Sequence, residues 1–143
     1  MFNSICVVCI GNICRSPIGE RLLKQAFPDK VVTSAGIAAE VGDAAYSKSV
    51  TVANKHHLSL DSHVARQLTP AICAQQDLIL VMEKYHIDAV CKIAPEVRGK
   101  VMLYGHWLNE MEITDPYGHD LEFFERTYDL LDKSAQAWTS KLK

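Results

Sequence analysis

Residues 4–27 read SICVVCIGNICRSPIGERLLKQAF. The first six, Ser4–Cys9, are short, β-branched and apolar on both faces, as in a strand buried within a parallel sheet. The run breaks at Gly11-Asn12. Ser16-Pro17 then opens a helix predicted over Ser16–Phe27, with Ser16 as N-cap and Pro17 at the first helical position, where no N–H is needed. Strand, tight loop and helix form the first half of a βαβ unit, and the rest of the chain repeats the alternation.

Val31–Ser34 reads as a second strand, closed by Ala35-Gly36, and Ser47–His57 as a second helix. Thr69-Pro70 begins a short helix that leads to a third strand, Asp77–Met82. Tyr85–Ile93 is helical, and Lys100–Tyr104 is a fourth strand. In the last helix Leu121, Phe124, Tyr128, Leu131, Ala135, Trp138 and Leu142 recur at alternating steps of three and four, one apolar stripe. Tyr128 and Trp138 therefore belong to the core. The expected class is α/β: a four-stranded parallel sheet with helices on both faces, a flavodoxin-like three-layer arrangement. In such sheets ligands bind beyond the C-terminal strand ends, and the first strand ends at Cys9.

The 143 residues suit one domain spanning residues 1–143. The formal charge is −2 with no long basic run, so neither nucleic acid nor insertion into a membrane is expected. Met-Phe-Asn-Ser has no basic start followed by an apolar core, and no apolar segment approaches the roughly 18 residues of a span. Five cysteines, at 6, 9, 14, 73 and 91, are an odd set without an export signal. Reduced thiols in a cytoplasmic protein are the expectation.

Any anion site must therefore be local. A loop closing onto a helix N-terminus directs successive backbone N–H groups inward, and the helix dipole adds positive potential. Gly11 permits a tight turn and Asn12 tolerates the left-handed region. Arg15 offers a planar fork for two oxyanion oxygens. Cys9 sits at the base of this cup, where the same donors favour a thiolate, and Ser16 can donate its hydroxyl to it. A thiolate beneath a held phosphoryl group is arranged for in-line attack. The Cys-x5-Arg spacing alone is weak, and its setting between strand and helix carries the reading. Transfer to sulfur leaves an alkoxide or phenoxide that needs a proton. Asp115, stiffened by Pro116 in ITDPYGHD, is the candidate acid.

With the distal DPYG, CIGNICRS resembles the low-molecular-weight protein tyrosine phosphatases, and more closely their bacterial capsule and exopolysaccharide branch. SAGI, HVARQLT, DLILVMEK, APEVRGKVMLYGHW and EITDPYG recur in the same order over nearly the whole chain. The resemblance implies hydrolysis of phosphotyrosine through a cysteinyl-phosphate, with Cys9 as nucleophile and Arg15 as phosphate ligand. It makes Asp115 acid and then base. The phosphate loop is Ile10, Gly11, Asn12, Ile13 and Cys14, supported by Ser16 and by His63, which the residues alone would leave on the surface. Ile13 and Tyr117 match the walls that sandwich an aromatic ring. Cys14 matches a cysteine that can bond to the nucleophile under oxidation and guard it. No metal and no cofactor are implied. The implied partner is a phosphotyrosine protein, a membrane-associated tyrosine autokinase, acted on by a monomer.

Two departures stand out. Relatives usually carry Ala where Gly19 stands. Glu40, in the altered wall segment AAEVGDAAYSKSV, stands about where relatives place a bulky apolar residue, so the wall here can choose substrates differently. Three competing readings are weaker. Thioredoxin-coupled arsenate reductases need two further cysteines close together, and Cys73 and Cys91 do not match. Arginine phosphatases carry Thr where Ile13 stands, and Ile13 better suits a flat ring. A non-catalytic phosphotyrosine-binding module would not need Cys9, Arg15 and Asp115 all intact. Cys6 and Cys9 have CxxC spacing, but in a strand residues three apart face opposite ways.

Overall fold

The computed structural model describes residues 2–143. Four parallel strands, β1 (Ser4–Cys9), β2 (Val31–Gly36), β3 (Leu78–Val81) and β4 (Val101–Leu103), lie in the order β2-β1-β3-β4. Five helices accompany them: α1 (Arg15–Ala26), α2 (Ser47–Lys55), α3 (Pro70–Ala74), α4 (Lys84–Ile93) and α5 (Leu121–Leu142). The expected α/β sheet is what forms.

Side-chain alternation along the central β1 divides the core into two layers. Ile5, Val7 and Cys9 pack with Ile18, Leu23, Val52, Phe124, Leu131 and Trp138 from α1, α2 and α5. Cys6 and Val8 pack on the other side with Cys73, Val90 and Val97. Cys6 and Cys9 thus face opposite layers. Burial pushes the Cys6 thiol up to about 11, which leaves it a packing residue. Tyr128 and Trp138 are buried as the stripe requires, and the Trp138 indole N–H donates to the Tyr104 carbonyl at 2.8 Å. Among the described residues no helix is long and apolar enough to cross a membrane.

Several boundaries differ from expectation. Helix α1 begins at Arg15, so Ser16 is not its N-cap; Cys14 stands there without a side-chain cap bond, and the Ser16 hydroxyl is used within the loop instead. Strand β2 runs two residues further, because Ala35 and Gly36 pair with Val8 and Cys9. Helix α2 stops at Lys55, two residues before the predicted His57, whose φ of 60° is left-handed and closes the helix. A 3-10 turn over Pro95–Lys100, unforeseen in the sequence, leads into β4. Gly19 has a local reason. A Cβ there would lie 3.0 Å from Val7 and 3.1 Å from the Tyr104 ring, whose hydroxyl donates to the Gly19 carbonyl at 3.0 Å. The glycine lets that ring approach the helix backbone.

Candidate active site

Strand β1 delivers Cys9 opposite Gly36. A Cβ on Gly36 would lie 2.5 Å from the Ile10 carbonyl oxygen, so the loop can cross β2 only where there is no side chain. Residues 37–46 then run alongside the loop and bond to its outer rim. Ile37 N–H donates to Cys9 O, Ala38 to Ile10 O and Glu40 to Gly11 O, each at 3.0 Å, and Tyr46 donates to Ile13 O at 2.8 Å. A peptide plane sets each C=O antiparallel to the next N–H. With these carbonyls turned out, the N–H groups of residues 10, 11, 12 and 14 turn the other way, into the cup. Among the described residues, no acceptor within the chain takes the N–H groups of Gly11 through Cys14. This is an anion nest at a helix N-terminus.

Asn12 holds the nest open. It is fully buried at φ 59°, in the left-handed region that Asn tolerates. Its Nδ2 donates to Ser16 Oγ at 2.7 Å and Ser34 Oγ at 3.0 Å, and its Oδ1 accepts from Arg66 N–H at 2.9 Å. Its carbonyl meets His63 Nε2 at 2.6 Å. Burial lowers the His63 pKa, and only an Nε2–H can bond to that carbonyl. Ser34 in turn donates to Glu20 Oε1 at 2.8 Å.

This relay has a direction. Asn12 can only donate to Ser16, which leaves the Ser16 hydroxyl proton free for Cys9 Sγ, 3.0 Å away. Arg15, 1% exposed, approaches from α1. Its Nη1 donates to Glu83 Oε2 at 2.8 Å and to the Ile113 carbonyl at 2.7 Å, while Nε has no partner among the described residues. Nη2 lies 3.7 Å from Asp115 Oδ2. With Nη1 anchored, the Nε–Nη2 edge is left to grip an oxyanion. The Asp115 side chain is 43% exposed, and its Oδ1 accepts the Tyr117 N–H at 3.1 Å, so the carboxyl is oriented and still reachable. Cys14 is buried, and burial, followed by the nearness of Cys9 and Asp115, pushes its thiol up to about 12. All five cysteines are free thiols.

A cleft of about 410 Å³ opens above the nest. Cys9, Ile10, Gly11, Ile13, Cys14, Arg15, Glu40, Asp115 and Tyr117 all line it, so the expected site residues converge. Asn12, Ser16 and His63 stand behind, as loop supports. Sequence reading missed Tyr46 and Asp43 in the lining. The Tyr46 ring lies 5.0 Å from that of Tyr117 and 5.7 Å from that of Phe124, an aromatic wall whose one signal was a tyrosine just before a helix. Glu83, unassigned from sequence, anchors Arg15. Asp77, at the opposite end of β3, accepts from the N–H groups of Asn3 and Ser4.

Behind Glu83 lies His86, fully buried, whose Nδ1 accepts the Glu83 N–H at 3.2 Å. Burial, with Arg15 pushing the same way, lowers it to about 4, whereas an unfolded histidine titrates near 6.5. Between those values the unfolded chain binds the extra proton. This contribution is therefore complete above the unfolded value and is lost as pH falls towards 4, by about 3 kcal/mol in all. Urea unfolding at pH 7 and pH 4.5 should show the loss. His63, also lowered by burial, adds to the loss in the same window, whereas Asp77 and Glu125, lowered from 3.8 and 4.5, give up their contributions only as the pH falls further. The His86 share is what His86→Gln removes, and an unchanged pH slope in that variant would refute it.

The chain as a whole resembles known proteins. The family model described as low molecular weight phosphotyrosine protein phosphatase matches residues 4–143. The probable low molecular weight protein-tyrosine-phosphatase AmsI of Erwinia amylovora is 57% identical over 142 residues, covering 99% of each chain. The low molecular weight protein-tyrosine-phosphatase Wzb of Escherichia coli K12 is 54% identical over 99% of this chain and 97% of its own. The structure of Vibrio vulnificus Wzb in complex with benzylphosphonate superposes with a TM-score of 0.96 at 50% identity, over 99% of each chain.

Proposed function

Since the chain belongs to the low molecular weight phosphotyrosine protein phosphatase family and is a protein-tyrosine phosphatase, we propose that Cys9, Arg15 and Asp115 carry its reaction in the cleft above the nest. The observation that supports this most is the convergence of a directed Ser16–Cys9 contact, inward N–H groups and the free edge of Arg15 on one point. Cys9 thiolate attacks phosphorus, and the bond from phosphorus to the tyrosyl oxygen breaks. The Asp115 carboxyl gives its proton to that oxygen. The nest and Arg15 hold the charge spread over the equatorial oxygens. Water then attacks the cysteinyl-phosphate, Asp115 carboxylate takes the water proton, and phosphate leaves as the thiolate returns. Ile13 and the Tyr46–Tyr117 wall flank the ring. Benzylphosphonate, bound by the Vibrio relative, has the same aromatic and anionic ends.

Hydrolysis of an aryl phosphate at mildly acid pH with a chelator present tests the scheme. Turnover with label trapped on Cys9 after acid quench supports it, and full dependence on added metal sinks it.

We further propose that the substrate is a membrane-associated tyrosine autokinase governing capsule or exopolysaccharide output, in a cytoplasmic setting. The support is similarity to AmsI and Wzb along the whole chain. Cys14, lining the cleft with Cys9, is proposed as a redox guard that forms a reversible disulfide with it. Peroxide-treated wild type should then regain activity with thiol, while Cys14→Ser should not. Equal recovery in both would dismiss the guard.

A further inference from the structure

Glu40 and Asp43 are the ends of one turn, closed by Asp43 N–H donating to Glu40 O at 3.0 Å, with Gly42 between them at φ 90°. The turn is held on both sides. Glu40 N–H bonds to Gly11 O of the phosphate loop, and on the other side Gly42 N–H donates to Ala65 O and Ala65 N–H to Asp43 O. Both acids line the cleft and are exposed. Among the described residues the only cation lining it is Arg15, which is buried and already faces Glu83 and Asp115. Its unpartnered Nε marks where the phosphate goes. The phosphoryl group thus takes the only positive charge, and the segment flanking the tyrosine meets two carboxylates on a fixed turn.

We propose that the Glu40–Asp43 turn is a specificity determinant that selects phosphotyrosines flanked by lysine or arginine over those flanked by acid. This rests on the cleft being the active site. Opposite charges at such a rim attract and like charges repel. At low ionic strength the two carboxylates should set basic-flanked and acidic-flanked peptides apart by about tenfold in kcat/KM.

The test uses three phosphotyrosine peptides of equal length, flanked by lysine, glutamate or neutral residues, each compared with a small aryl phosphate. Wild type should prefer the lysine peptide about tenfold over the glutamate peptide, and the ratio should shrink as salt is raised. Glu40→Gln with Asp43→Asn should bring it to about twofold or less, and Glu40→Lys with Asp43→Lys should invert it. A merely damaged wall slows all three peptides alike and cannot invert the order. A flat ratio in wild type, or an unchanged one in the variants, overturns the proposal. Persistence of aryl phosphate turnover in Cys9→Ser would instead overturn the site on which it rests.

Discussion

Exchange of Cys9 for serine is expected to abolish turnover of aryl phosphates, a loss of at least about 10,000-fold. The serine hydroxyl is close in size to the thiol and almost fully buried, and Ser16 can still bond to it, so the fold should survive. What disappears is the nucleophile. A serine alkoxide is far harder to form than a thiolate, and a single donor from Ser16 does not make up that difference. The nest, Arg15 and the aromatic wall remain, so the variant should hold phosphotyrosine without consuming it. Steady-state assay beside a binding titration checks both halves. Loss of binding together with turnover would mean that the substitution has disturbed the loop. The same variant used as bait in lysate, with bound phosphotyrosine proteins identified, decides the partner. Failure to enrich an autokinase removes that proposal and leaves the chemistry standing.

Asp115→Asn should slow hydrolysis of phosphotyrosine by about 100- to 1,000-fold. The exchange keeps the shape and the Oδ1 acceptor for the Tyr117 N–H, so the Pro116 loop should stay in place. It removes the transferable proton. In the first step the damage should therefore depend on the leaving group: severe for a phenol that departs poorly as its anion, mild for a nitrophenol that departs well without help. Asparagine also cannot accept the proton from water in the second step, so cysteinyl-phosphate should build up with good leaving groups and appear as a burst. Uniform slowing of the burst itself across a phenol series would show that Asp115 only shapes the cleft, and the acid would have to be sought elsewhere.

The chemistry of this site was more legible than its support. Cys9, Gly11, Asn12 and Arg15 lie within one strand-loop-helix unit, where spacing and local propensity suffice. Asp115 stood out through its proline. Of the two roles that sequence suggests for Ser16, donor to Cys9 and helix cap, only the first is realised, because a serine before proline invites the cap reading whatever its hydroxyl goes on to bond. The contacts of Arg15 with Glu83 and the Ile113 carbonyl span 68 and 98 residues. Nothing periodic in a chain announces such a meeting. His63 looked like surface because a lone histidine among polar residues carries no sign of the buried carbonyl it will reach. Tyr46 was lost in a segment without pattern, since a wall is defined by what faces it.

The four bonds between residues 37–46 and the rim of the loop divide the cleft's duties between atoms. Outward carbonyls carry the recognition wall, and inward amides carry the phosphate. None of these four bonds uses the side chains of residues 40, 43 and 46, which line the cleft instead. A lineage can rewrite those three positions to greet a new protein while the backbone lattice beneath keeps the catalytic cup unaltered. Specificity then drifts cheaply and chemistry stays put, which makes this wall the natural place to graft a new preference onto an old reaction.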